Sequence, residues 1–420
     1  MRSALWRDGG FVRLFAANAV SQLGTQFSLL ALPLTALLVL HRGALAVSLL
    51  RTFAVLPFVF FSLPAGVWID RLRRRPLMIV ADVGRALALA SIPVAFWLGR
   101  LTLVQLYVVG TIHGTLSVFF DVSYLSFLPG LVSRERLGDA NSKLLGSQAA
   151  AQVAGPSFAG AVIGAVGAAV AVLADAVSFG ISAIFVAAIR GREPVPERST
   201  TRKRDELLEG IRYVLTQPHL RTLTIWTSLW NLFSSAFFAV EIVYFVRGLH
   251  WGATEIGIVL ALGSSGLLLG SFLNEKLAAR FGIGRMIAYS GVAFSALIAG
   301  IPGAPRAHAA PIIAVVGFAA STVGFFANVN QLTYRQAITP HRLLGRMNSV
   351  VRFMYWGTVP LGSLLGGLVA GPLGLRATLF AASAGATASC LPIMAGSIKS
   401  ATVTEDARAP GDGGVAAPAG

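Results

Sequence analysis

The stretch Phe15-Ala-Ala-Asn18-Ala-Val-Ser-Gln22-Leu-Gly-Thr-Gln26-Phe-Ser-Leu-Leu-Ala-Leu-Pro-Leu-Thr-Ala-Leu-Leu-Val-Leu40 carries no charged side chain. A helix needs about 20 consecutive, mostly apolar residues to cross the hydrocarbon core of a bilayer, and this run exceeds that. It also exceeds the apolar region of a secretory signal and lacks a small-residue cleavage site, so it is expected to be a retained membrane span. Its polar residues are ordered. Asn18, Gln22 and Gln26 recur at every fourth position, which puts three amides on one helix face. Amides are costly against lipid, so that face must look at other helices or at a water-filled space. The stretch therefore predicts one member of a bundle.

Outward from it, apolar runs recur with tight punctuation. They predict helices at 12–40, 44–69, 76–98, 101–127, 142–166 and 168–190, then at 220–247, 254–276, 285–304, 309–335, 345–370 and 375–397. The composition agrees: 55% of residues are hydrophobic, 12% are charged, and the mean hydropathy is +0.72. Soluble domains carry roughly 25% charged residues. The expected fold class is all-α integral membrane, with twelve transmembrane helices.

The longest polar stretch, 191–219, opens with Pro194 and Pro196 and ends in Asp205-Glu-Leu-Leu-Glu-Gly-Ile-Arg-Tyr-Val-Leu215. Leu207, Leu208, Ile211, Val214 and Leu215 fall at helical spacing, which reads as an amphipathic helix on the membrane surface. The expected organisation is a six-helix bundle over 1–190, a cytoplasmic linker over 191–219, a second bundle over 220–398 and a disordered tail over 399–420. The single cysteine, Cys390, can form no intramolecular disulfide.

A net charge of +16 could suggest a nucleic-acid partner. Placement argues otherwise. With the N-terminus in the cytoplasm, Arg42, Arg100, Arg247, Arg306 and Arg376 fall outside, and Arg13, Arg51, Arg85 and Arg352 fall within helices. The other 25 of the 34 basic residues are cytoplasmic. This positive-inside bias accounts for the basic charge without nucleic acid. It implies a multi-pass membrane protein with both termini cytoplasmic.

The chain also repeats itself. Phe119-Phe120 precedes Arg136-Leu-Gly-Asp-Ala-Asn141-Ser142, and Phe325-Phe326 precedes Leu344-Gly-Arg-Met-Asn348-Ser349. Both copies sit at an inside loop before a helix, the fifth and the eleventh. Duplication of a six-helix unit predicts this register.

The loop after the second helix reads Gly66-Val-Trp-Ile-Asp70-Arg71-Leu-Arg73-Arg74-Arg75. It resembles the G-x-x-x-D-R/K-x-G-R/K-R/K signature of the major facilitator superfamily, with Arg73 in place of the second glycine. The second half carries a degenerate copy at Gly270, Asn274, Glu275 and Lys276. Gly146, Gly155, Pro156 and Gly160 in helix five resemble the glycine-proline motif of antiporter-type members, with its final double glycine reduced. Phe119-to-Pro129 and Asp205-to-Arg221 look like the bacterial enterobactin-exporter and macrolide-efflux branch. The resemblance covers about residues 10–397. It implies placement in the bacterial inner membrane and two pseudo-symmetric six-helix bundles around a central cavity, normally in a monomer. It also implies that Asp70 meets the start of helix eleven, where a helix dipole favours an anion, and gates the cytoplasmic side with Arg71, Arg74 and Arg75. The bland alternative is a purely topogenic basic loop.

Polar stripes continue on other helices: Gln148 and Gln152 on helix five, Asn231 among Thr227, Ser228, Ser234 and Ser235 on helix seven, and Asn328, Gln331 and Arg335 on helix ten. Each residue either lines a cavity or ties helices together. The family places the first and fourth helices of each half at the cavity, which favours lining for the set. Among acids within apolar runs we single out Asp82, Asp175 and Glu241. A carboxylate in a low-dielectric site holds its proton more tightly, which proton coupling requires. Asp82 has Arg85 one turn along and reads as a structural pair. Asp175 and Glu241 are coupling candidates, with a structural role and a rim pair with Arg247 as their respective alternatives. Arg51 is expected to pair with Asp175 or Glu241, or to bind an anionic substrate. His113 titrates or is a satisfied core histidine. No phosphate-cradling G-x-x-x-x-G-K-S/T, metal cluster or nucleophile triad occurs, so no cofactor and no enzymatic activity are expected.

The expected function is secondary active transport: proton-coupled efflux of a small amphipathic drug or secondary metabolite. Siderophore export is the alternative within transport, and a non-transporting sensor or scaffold is the alternative outside it. A scaffold has no need of a polar cavity.

Overall fold

The computed structural model describes residues 4–69, 72–133, 136–189, 203–396 and 398. Among them, twelve helices are long and apolar enough to cross a membrane. The first half holds Gly9–Val39, Ala44–Ile69, Arg74–Trp97, Leu103–Leu131, Leu137–Val166 and Ala168–Ala187. The second holds Pro218–Gly248, Ala253–Phe281, Ile283–Gly303, Arg306–Ala337, Leu344–Leu373 and Leu375–Ala395. We number these spans one to twelve and call the end at which the chain enters span one the inner end. Of the expected linker, 191–219, residues 191–202 lie outside the described residues, as does the whole of the expected tail, 399–420.

The spans are longer than the sequence pattern suggests mainly at the inner end. Span five starts at Leu137, so Asn141-Ser142 is helical, as is Asn348-Ser349 in span eleven. An Asp139–Lys143 ion pair one turn apart supports that extra turn. Span four runs through Pro129 in its last turn, where the missing N–H leaves the carbonyl of Leu125 without its helical partner.

The two halves repeat at the level of packing. In the first half, spans one and five, one and six, two and four, three and four, and three and six pack together; the equivalent pairs seven–eleven, seven–twelve, eight–ten, nine–ten and nine–twelve pack in the second. Across the halves, span two packs on eleven and span five on eight, which are again equivalent pairs. The turns repeat too. Spans one and seven both end in a π-helical turn, Thr35–Val39 and Tyr244–Gly248, followed by Leu40-His41 and Leu249-His250. Both histidines have positive φ, 53° and 64°. Gly167 and Gly374 make the corresponding outer turns after spans five and eleven at φ 86° and 79°, a region that glycine enters without steric cost.

Lipid supplies no hydrophobic drive between helices, so close packing through small residues holds them. Large apolar side chains instead point outward: Phe272 is 77% exposed and Leu87 69%. Lys203–Thr216 forms the expected amphipathic helix. Its Val214 is buried with Leu220, Met347 and Val350, and Glu209 pairs with Arg342 at 3.2 Å and with Arg346. Only part of its apolar surface, including Leu208 and Leu215, is left exposed. The helix therefore docks on the inner end of span eleven rather than lying free on a surface.

Candidate functional site

A cavity of about 850 Å³ lies between the halves. At its outer end the halves are tied together. Thr52 Oγ1 donates to Pro360 O (3.3 Å), Thr254 Oγ1 to Gly160 O (3.2 Å), and Arg247 Nη2 to Arg42 O (2.9 Å). At the inner end the cavity wall reaches Asn141 and Leu145, both exposed. The space is thus closed outward and open inward.

The helix-five motif explains part of that closure. Around Pro156 and Gly160, span five meets span eight backbone to backbone at Gly257. Gly155 admits the side chain of Gln26, whereas a Cβ on Gly146 would meet open space. Of the basic loop, Asp70 and Arg71 lie outside the described residues, and Gly66 is in the last turns of span two. Arg74 opens span three. Arg75 donates from Nε to Val186 O (3.2 Å) and from Nη2 to Ala187 O. It thereby satisfies carbonyls at the C-terminal end of span six, where a cation is favoured.

The amides of span one face the cavity: Asn18, Gln22 and Gln26 line it, and Gln148 and Gln152 of span five stand opposite. Asn231 both lines it and ties spans seven and eleven, donating to Tyr355 O (2.6 Å) and Thr358 Oγ1 (3.1 Å). The expectation for span ten needs correction. Asn328 and Gln331 are not among the residues bordering the cavity. Span ten packs on span eight instead, where Asn330 donates to Asn274 Oδ1 (2.7 Å) and Thr322 to Gly266 O (3.0 Å). The cavity is consequently asymmetric, with span four on its wall and span ten off it.

The charged groups sort by position. Arg85 pairs with Asp82, and Ser182 Oγ donates to Asp82 Oδ2 (2.7 Å). The guanidinium also lies between the rings of Phe120 (4.4 Å) and Phe179 (4.1 Å), so two aromatic faces share its charge. Asp175 is fully buried against span one, accepting from Ser178 Oγ at 3.1 Å, and does not border the cavity. Arg51 borders it and interacts electrostatically with Glu241 of span seven, not with Asp175. Arg247, the alternative partner of Glu241, reaches across to the span one–two turn instead. His113 also borders the cavity, its ring 5.5 Å from that of Phe179.

One cavity acid escaped the sequence reading. Asp121 of span four lines the wall and interacts electrostatically with Arg85 and with Arg352 of span eleven. It lies inside the apolar run quoted above for its likeness to one branch, and a census of carboxylates per span would have found it. Aromatic residues complete the wall: Phe58 stacks on Trp356 across the halves (5.0 Å), and Tyr124, Trp230, Phe238 and Tyr355 stand nearby.

Residues 14–357 match the Major Facilitator Superfamily. The chain belongs to that superfamily. It is therefore a multi-pass membrane transporter of small molecules and not an enzyme. Among its relatives is the multidrug efflux pump Tap of Mycolicibacterium fortuitum, 30% identical over 389 residues that cover 88% of this chain and 91% of the pump. The enterobactin exporter EntS of Salmonella choleraesuis is 24% identical over 321 residues, covering 74% and 73%. Among solved structures, a bacterial homologue of the iron transporter ferroportin in its inward-facing state superposes with a TM-score of 0.75 at 19% identity, covering 95% of this chain and all of that one. The outward-facing state of a bacterial ferroportin homologue gives 0.60 over 92% of this chain and 98% of that one.

Proposed function

We propose that this superfamily member exports a small amphipathic molecule from the bacterial cytoplasm in exchange for protons, by alternating access of the cavity to the two sides of the inner membrane. The observation that carries the reading is the cavity itself: closed at the outer end, open at the inner end, and walled by aromatic rings, amides and a few charges. Such a wall takes up flat, partly apolar molecules through ring stacking and satisfies their polar groups without demanding one shape. With the basic-loop end in the cytoplasm, the open side faces the compartment from which a drug is removed. The chain's similarity to a multidrug efflux pump over most of both lengths supports the same reading.

A second reading, export of an acidic siderophore, is favoured by one observation: Arg51, Arg85 and Arg352 all border the cavity, with Asp121 as the acid on its wall. Similarity to an enterobactin exporter agrees with it. Accumulation of cationic dyes and of an acidic catechol compound in cells lacking their own pumps separates the two. Reduced dye accumulation supports drug efflux. Unchanged dye with reduced retention of the catechol supports the second reading, and no effect on either, despite membrane expression, contradicts both.

A further inference from the structure

Two charge couples span the halves, one at each end of the cavity. Arg51 follows the outer start of span two, Ala44, by seven positions, and Glu241 precedes the outer end of span seven, Gly248, by seven. At 1.5 Å per residue both lie about 10 Å below that face. Asp121 precedes the inner end of span four, Leu131, by ten positions, and Arg352 follows the inner start of span eleven, Leu344, by eight. That places them about 15 and 12 Å above the inner face. The outer couple sits where the halves are closed, and the inner couple flanks the open side.

We propose that Asp121 is the carboxylate through which proton binding is coupled to the rocking of the two halves, with Arg352 as its partner across the cavity. This rests on the proton-coupled reading above and gives it a residue. A coupling group must be reached from the cavity and must feel the opposite half. Asp121 does both, whereas Asp175 and Glu241 do not border the cavity. Span three brings Arg85 towards Asp121, but that guanidinium is already held by Asp82 and two rings. Span two brings Arg51, which is engaged nearer the outer end with Glu241. Span four itself adds Tyr124 and, further out, His113. Arg352 makes no ion pair or hydrogen bond among the described residues, so it is the cation left to meet Asp121.

The cycle follows from charge. With the inner side open, Asp121 releases its proton to the cytoplasm and cargo enters. The carboxylate then attracts Arg352, the inner ends approach, and the outer end opens. A proton arriving from outside neutralises Asp121, frees Arg352 and lets the inner end reopen. One proton moves inward as one cargo molecule moves outward.

Spin labels at Ser142→Cys and Ser349→Cys, exposed positions at the inner ends of spans five and eleven, read this motion without a known substrate; Cys390 is buried. Electron–electron distances are taken in lipid nanodiscs from mildly acidic to mildly alkaline pH. The proposal expects a shorter-distance population that grows as pH rises, is lost in Asp121→Asn and Arg352→Gln, and is retained in Asp121→Glu. Thermal unfolding near the parent value shows that the variants fold. A parent-like pH response in Asp121→Asn overturns the assignment to Asp121. A parent protein whose distances ignore pH, in protein that also fails to transport under a pH gradient, overturns the proton-coupled reading itself and this inference with it.

Discussion

Gly160 of span five and Gly257 of span eight meet across the two halves with nothing but backbone between them. A Cβ on Gly257 would stand 2.4 Å from Pro156 O and 2.8 Å from the Gly160 Cα, and a Cβ on Gly160 would stand 2.6 Å from Ala253 O. No side chain fits without parting the helices, so the outer closure depends on both glycines. Gly257→Leu is expected to hold the outer side ajar and to lower transport at least tenfold while membrane insertion persists. Labelling of an outer-cavity cysteine by a membrane-impermeant maleimide checks this: faster labelling than in the parent is the expected result.

The Asp82–Arg85 pair is buried, and Arg85 would remain there without its partner. Removing one member of a buried pair costs about 3–5 kcal/mol, whereas replacing both is far milder. Asp82→Ala is expected to lower the unfolding midpoint in detergent well below that of Asp82→Asn combined with Arg85→Gln. Equal losses in the two proteins would remove the structural role assigned to the pair.

Asn231 joins spans seven and eleven through two hydrogen bonds. Interhelical bonds in membranes are worth about 0.6 kcal/mol each on average. Asn231→Leu is therefore expected to lose only about 1 kcal/mol of stability, read by thermal unfolding. Its effect on transport should be larger than its effect on stability, because the same amide lines the cavity.

Phe58 and Trp356 stack on each other across the halves, 5.0 Å between ring centroids, and together form part of the cavity wall. Such stacks contribute about 1 kcal/mol beyond area burial, which is roughly fivefold in affinity. Trp356→Ala is expected to weaken binding of aromatic dyes about that much, measured by dye fluorescence titration of the purified protein, and to leave binding of small polar solutes unchanged.

The membrane class and span number were legible because lipid imposes long uncharged runs, and Phe15–Leu40 alone exceeds what a soluble chain tolerates. The repeat was half legible. Phe119-Phe120 and Asn141-Ser142 revealed it, but Leu40-His41 and Leu249-His250 mark it as well, and their shared π-turn geometry shows only in the backbone. The site was less legible. A polar stripe says that a helix avoids lipid, not what it faces instead, and this separates Gln22, on the cavity, from Gln331, which is not. A count of carboxylates per span would have found Asp121, but not its setting: Arg352, more than 200 positions away, becomes its neighbour only through the fold. Arg51 and Glu241 are related in the same way.

Transport by purified protein in proteoliposomes under an imposed pH gradient tests the central claim most directly. A fluorescent dye is loaded outside, and the lumen is made acidic relative to the medium. Proton-coupled alternating access through this cavity predicts dye uptake into the acidic lumen by molecules whose cytoplasmic face points outward, abolished by collapsing the gradient. Uptake of equal rate and extent with the gradient collapsed, by protein confirmed to be folded and inserted, would contradict it.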